Sequence, residues 1–169
     1  MEYYCAMVMT GAEKSFKQEA EKASRERFPE SKFFYFERKL RTNQGKYFDA
    51  PLFPGYVFFQ TEKLSDDFFL LLKSIKNFCR VLHSNQDPTK LLGAALAELQ
   101  EYIKKGEYWG LSKVEFQEGK SVKIISGPLM GLEGRIYKIN KKKKRITITS
   151  AIFPDKKFDL MYEDIRVIE

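Results

Sequence analysis

The sequence predicts an α+β protein in which a helix-and-sheet region comes first and a small all-β barrel follows. Helical periodicity is confined to the first part, where Phe16, Ala20 and Ala23, then Phe68, Leu72 and Ile75, then Leu92, Leu96, Leu99 and Ile103 form stripes three or four residues apart. Beyond them the stripes stop. Five short alternating or β-branched stretches (122–125, 134–139, 145–153, 157–162 and 165–168) succeed one another with turns between, as in a small barrel. Charge divides the same way: of a net +7, residues 1–115 carry +2 and residues 116–169 carry +5. The expected organisation is a first domain over 1–105, a linker over 106–117 and a barrel over 118–169.

The individual elements follow in order. Tyr3 to Met9 is apolar but short and has no basic leader, so it reads as a first strand and not a signal peptide. Thr10-Gly11-Ala12-Glu13 has capping-box spacing, which predicts a helix from Thr10 to about Phe28, ended by Pro29. Phe33 to Phe36 predicts a strand. Arg38 to Lys46, centred on Thr42-Asn43-Gln44-Gly45, predicts an extended hairpin arm. Leu52 to Gln60 predicts a strand, Ser65 caps a second helix, and Phe78 to His83 is a short strand. A third helix runs over about 91–104 and stops at Gly106.

Composition narrows the function. Hydrophobic residues at 43% and aromatics at 15%, with 15 Phe and 9 Tyr, give ample material for a core. Cys5, Cys79 and the single His83 match no metal spacing, so no metal or cofactor is expected and a reduced, cytoplasmic setting fits. No segment has the roughly twenty apolar residues a membrane span requires. There is no P-loop, no GxGxxG after a strand and no GxSxG, and His83 reads as a surface or turn residue. Asp66-Asp67 sits at a helix start, where it favours the dipole. No enzyme is expected. The basic C-terminal part points to a polyanion, most often nucleic acid.

Two motifs carry more. Glu118-Gly119-Lys120-Ser121-Val122-Lys123-Ile124-Ile125-Ser126-Gly127-Pro128-Leu129-Met130-Gly131-Leu132-Glu133-Gly134-Arg135-Ile136 has two strands around a glycine–proline turn, with Gly134 suited to a close strand crossing. It resembles the KOW motif of NusG and some ribosomal proteins. Ala50-Pro51-Leu52-Phe53-Pro54-Gly55-Tyr56-Val57-Phe58-Phe59 looks like the Phe-Pro-Gly-Tyr-Val strand of the NusG N-terminal domain. Order and separation also match, and Thr10-Gly11-Ala12-Glu13 looks like the family's Gly-Glu helix start. The chain thus resembles the NusG family over nearly its whole length. Ser126-Gly127-Pro128-Leu129, Gly131-Leu132-Glu133-Gly134 and the long third helix after Asp87-Pro88 point to specialised antitermination paralogs of the LoaP type. Ile75-Lys76-Asn77-Phe78 and Ile152-Phe153-Pro154 depart from the usual pattern.

The resemblance implies a NusG-type α/β sandwich, an antiparallel sheet flanked by helices, joined to an SH3-like KOW barrel. It implies a monomeric elongation or antitermination factor that holds the RNA polymerase clamp closed. Cys5, Met7, Phe53, Pro54, Tyr56 and Phe58 are then expected to present an apolar patch to polymerase. Lys14, Lys17, Lys73, Lys76 and Arg80 are expected near non-template DNA. The Lys141-Lys142-Lys143-Lys144-Arg145 turn, with Lys138 beside it, is read as a contact for nascent RNA. Ile152 and Phe153 match the family's site for a protein partner, such as a ribosomal protein or termination factor. Some specialised paralogs store the second domain as a helical hairpin; the strand propensity of Arg145-Ile146-Thr147-Ile148-Thr149 predicts a constitutive barrel here. The competing reading is a stand-alone KOW RNA-binding protein of ribosomal type, in which the Phe53–Phe58 strand is core only.

Overall fold

The computed structural model describes residues 1–82, 89–117 and 122–165. His83, Asp87-Pro88, the first four residues of the KOW-like segment and nearly all of the expected strand at 165–168 lie outside the described residues.

A four-stranded sheet forms the centre of the first domain. It is built from β1 (Glu2–Val8), β2 (Lys32–Phe34), β5 (Tyr56–Thr61) and β6 (Phe78–Val81), in the order β2-β5-β1-β6, with all described neighbours antiparallel. Strand alternation divides its side chains between two cores. Tyr4, Ala6 and Val8 of β1, with Val57 and Phe59 of β5, face one core with Phe16 and Ala20 of α1 (Glu13–Ser24) and Phe68 and Leu72 of α2 (Asp66–Ser74). Cys5 and Phe58, on the opposite face, enter a second core.

That second core spans both parts of the chain. It joins Phe36, Phe53 and Phe58 to Leu99 and Tyr102 of α3 (Gly93–Lys105), to Trp109, and to Val114, Ile124, Ile146, Ile148, Phe153, Phe158 and Leu160 of the C-terminal region. A second sheet comes from the arm: β3 (Glu37–Arg41) and β4 (Tyr47–Pro51) form a hairpin, and β7 (Tyr108–Trp109) adds in parallel to β3. The C-terminal sheet has five strands in the order β10-β11-β12-β8-β9: β8 (Ser112–Phe116), β9 (Val122–Ser126), β10 (Ile136–Asn140), β11 (Arg145–Thr149) and β12 (Lys157–Asp164). All its pairings are antiparallel except β12 with β8. Among the described residues no helix is long and apolar enough to cross a membrane.

Several expectations need correction. Ser65 does cap α2, accepting from the Phe68 amide at 3.2 Å. Thr10, however, does not cap α1. That helix begins at Glu13 with Ala12 at its N-cap and no side-chain cap, because the Glu13 carboxylate takes the Gly11 amide itself. It ends at Ser24, four residues before Phe28. The strand expected over 52–60 starts only at Tyr56, since Pro54-Gly55 forms a turn with Gly55 at φ +87°. The stripe of α3 is rotated: Leu92 is exposed, and the buried positions are Glu98, Leu99 and Tyr102. The stretch 106–117 is no linker. It supplies β7 to the arm sheet and β8 to the barrel sheet, and so ties the two together. Gly134 makes no close crossing; a Cβ there would meet nothing within 4 Å.

The close approach belongs to Gly127 instead. At φ +98°, a Cβ on Gly127 would lie 2.6 Å from the Ser112 Cα, where the Ser112 hydroxyl accepts from the Leu129 amide. Left-handed strain and a backbone clash therefore act together at this turn. Gly127→Ala should destabilise the protein by on the order of 3 kcal/mol, measured as a lowered midpoint in denaturant titration. Gly134→Ala, with open space and no such φ, should leave the midpoint nearly unchanged.

Candidate functional site

The two apolar surfaces singled out in the sequence meet each other. Pro54-Gly55 turns the chain between Phe53 and Tyr56, so both rings lie on the sheet face that α1 and α2 leave uncovered. Phe153 and Phe158 of the barrel pack onto them. Ring centroids are 4.7 Å apart for Phe53–Phe158, 5.5 Å for Phe53–Phe153, 4.5 Å for Tyr56–Phe153 and 6.3 Å for Phe58–Phe153. Aromatic pairs at such separations contribute about 0.5–1.5 kcal/mol each beyond the area they bury. Lys156 closes the edge, donating to the Tyr56 hydroxyl at 2.9 Å with its ammonium 4.6 Å from the ring centroid.

The expected patch is therefore not presented to solvent. Cys5, Phe53 and Phe58 are buried, Met7 and Tyr56 are half-buried, and only Pro54 is exposed. Burial raises the Cys5 thiol well above its ordinary pKa, so this thiol is a core group and not a nucleophile. Ile152 and Phe153 are likewise buried, at 7% and 4% exposure.

A polar clamp holds the contact, and sequence reasoning missed it. Glu98, fully buried on α3, accepts at one carboxylate oxygen from the Ala151 amide (3.0 Å) and pairs there with Arg135 Nη1 (2.9 Å). Its other oxygen accepts from the Ser150 hydroxyl (2.5 Å) and the Ile152 amide (3.2 Å). The Arg135, Ser150, Ala151 and Ile152 donors all come from the barrel, and the Tyr102 hydroxyl of α3 bonds to the same carboxylate. Arg135 also reaches the Tyr102 hydroxyl at 3.2 Å and Glu101 at 3.5 Å, while the Lys105 ammonium donates to the Met130 carbonyl. On the arm side, Arg38 donates to the Asp159 carbonyl and Arg145 to the Arg41 carbonyl. The only sequence signal for Glu98 is a carboxylate adjacent to Leu99 in the buried stripe of α3.

The basic residues fall into separate places. Lys17 is paired with Glu107 at 2.7 Å and Glu21 at 3.5 Å, so most of its charge is compensated locally. Lys14 and Lys17 line a groove with Tyr35, Glu37 and Glu107. Lys76 lines a different one, between α1 and residues 74–77. Lys73 lies over the Phe69 ring, and Arg80 is exposed on β6. Of the five residues expected near DNA, Lys14 and Lys17 thus lie together and Lys76 lines a separate groove. The lysine turn does stand out from the barrel: Lys138, Lys141, Lys142 and Lys143 are exposed, Lys144 pairs with Asp164 at 4.0 Å and Arg145 with Asp159 at 3.7 Å.

Residues 1–100 match the family model described as transcription termination factor nusG, and residues 118–149 match the KOW motif. The chain is 26% identical over 110 residues to the transcription termination/antitermination protein NusG of Pasteurella multocida, a match covering 62% of this chain and 57% of that protein's length. It is 23% identical over 124 residues to the corresponding protein of Xylella fastidiosa strain 9a5c, covering 68% of this chain and 67% of that one. A solved structure reported as "Domain interaction in Thermotoga maritima NusG" shares the fold, with a TM-score of 0.56 at 21% identity over 94% of this chain and 91% of the other. With a family match over more than half its length, followed by the KOW segment in the same order, the chain belongs to the NusG family.

Proposed function

We propose that this protein is a cytoplasmic transcription elongation and antitermination factor that binds RNA polymerase through the surface around Phe53, Pro54 and Tyr56. The observation that carries this reading is the aromatic junction itself. Phe53 and Tyr56 form an apolar surface complete enough to seat Phe153 and Phe158, and such aromatic surfaces anchor protein interfaces. In the docked form that surface is occupied. Polymerase therefore competes with the barrel, and binding proceeds from an undocked state. The same release frees Ile152 and Phe153 for a protein partner, and the lysine turn is the contact for nascent RNA. No step is catalytic: holding the clamp closed shifts populations among polymerase states.

The clamp sets how much of the undocked form exists. A buried carboxylate stripped of its partners, or buried donors stripped of theirs, costs about 1–3 kcal/mol per group. In the undocked form the same groups are hydrated. Removing Glu98 therefore penalises the docked form and spares the separate domains. The strands β8 to β12 support undocking without refolding.

Glu98→Ala should tighten binding to purified core polymerase about tenfold or more, the equivalent of 1.4 kcal/mol taken from the docked form. Its far-UV circular dichroism should match that of the parent protein. Tyr56 serves both the junction and the proposed interface, so its own contribution is read in the undocked background. There, adding Tyr56→Ala to Glu98→Ala should weaken polymerase binding by about 2 kcal/mol. Unchanged affinity in the double variant would remove this surface from the interface, and would favour a KOW RNA-binding protein whose first domain is a platform.

A further inference from the structure

Docking creates a second feature away from the aromatic junction. The tip of the β3–β4 hairpin and the β10–β11 turn lie side by side and enclose a groove of about 430 Å³, lined by Arg41, Thr42, Asn43, Lys142, Lys143 and Arg145. Four of these six carry positive charge and none is acidic. The residues come from segments about a hundred positions apart in sequence, joined by the Arg145 guanidinium donating to the Arg41 carbonyl at 3.4 Å. Among the described residues, Arg41, Lys142 and Lys143 have no carboxylate within ion-pairing distance. Docking therefore brings uncompensated like charges together, an arrangement that a bound polyanion turns from repulsive to attractive.

The surroundings favour a nucleic-acid strand over an acidic peptide. Tyr47 stands directly opposite Arg41 across the hairpin, so both side chains share one face of the arm, and Tyr47 is 48% exposed. Lys39 lies 4.8 Å from the centroid of the same ring. Cations that track a phosphate backbone, with an aromatic face beside them for a base, are the elements by which single strands are bound without sequence preference. Arg41 and Arg145 add guanidinium forks that match phosphate geometry.

We propose that this groove is a composite site for a single-stranded nucleic-acid chain, complete only while the barrel is docked on the first domain. It rests on the reading of the lysine turn as an RNA contact, and adds the arm as its other wall. Because the site exists in one state only, its ligand stabilises that state. Strand binding and exposure of the Phe53–Tyr56 surface then oppose each other, and a transcript held in the groove keeps the protein closed.

The test uses the full chain and a fluorescently labelled oligouridylate of about twelve nucleotides, within the site sizes of single-strand binders, titrated by anisotropy at low and moderate salt. Arg41→Glu should weaken binding at least about fivefold and flatten the salt dependence, since a phosphate contact is lost. Arg41→Gln should do so to a smaller degree. The Arg41 side chain makes no described bond, and its carbonyl remains for Arg145, so melting curves should stay close to those of the parent. Tyr47→Ala should weaken binding, and oligothymidylate should bind about as well as oligouridylate. Glu98→Ala, at a residue that does not line the groove, should also weaken binding, and Arg41→Glu should add little in that background. If Arg41→Glu has no effect while Lys142→Glu with Lys143→Glu weakens binding, the composite site is overturned and the lysine turn binds alone. If none of these charge changes matters, the reading of the turn fails as well. Equal or tighter binding by Glu98→Ala would overturn the dependence on docking.

Discussion

The closed arrangement depends on the burial of one carboxylate. Glu98 sits fully out of solvent between α3 and the barrel, and its two oxygens are satisfied by two amides, a hydroxyl and a guanidinium. A buried charge of this kind adds little net stability compared with an apolar contact of the same shape, but it is severe on any arrangement that leaves it unpaired. Its role is geometric. The aromatic rings of Phe53, Tyr56, Phe153 and Phe158 supply non-directional attraction, and Glu98 selects the one pose in which Ser150, Ala151 and Ile152 reach it together.

This division of labour suits a reversible contact. Water can rehydrate Glu98 and its partners when the barrel leaves, so the clamp is strict in the docked state and costs little in the undocked one. The aromatic surfaces are complementary to each other and also suited to outside partners. Under the proposed function, a self-occupied surface limits binding until a competing partner is present. The basic groove lies on the other side of the same contact, where docking gathers charge instead of neutralising it.

Much of the fold was legible because its signals are local. The Gly127-Pro128 turn, the Ser65 cap and the Phe53-Pro54-Gly55-Tyr56 kink each announce a backbone conformation within a few residues. Where two local signals compete, legibility falls: Thr10 and Glu13 have capping-box spacing, yet Glu13 alone takes the Gly11 amide and the helix starts later. The stretch 106–117 read as a linker because β7 is only two residues long and one partner of β8, the strand β12, lies far along the chain. Individual residues of the functional surfaces were legible by motif, but their mutual occupation was not. Glu98 and residues 150–152 are some fifty positions apart, and no period or spacing encodes that one will satisfy the other.

The central claim is that polymerase and the barrel exclude each other from one surface. Amide hydrogen exchange at Ala151 and Ile152 reads this directly, because both amides donate to Glu98 only in the docked form; Ala151 is the sharper probe, since the Ile152 amide also donates to the Ser150 hydroxyl within the barrel. On adding core polymerase to the full chain, these two amides should lose protection while those of the β11–β12 ladder keep theirs. Retained or increased protection at Ala151 and Ile152 in a demonstrated polymerase complex would contradict the account, since it would mean that the barrel stays docked while polymerase binds elsewhere.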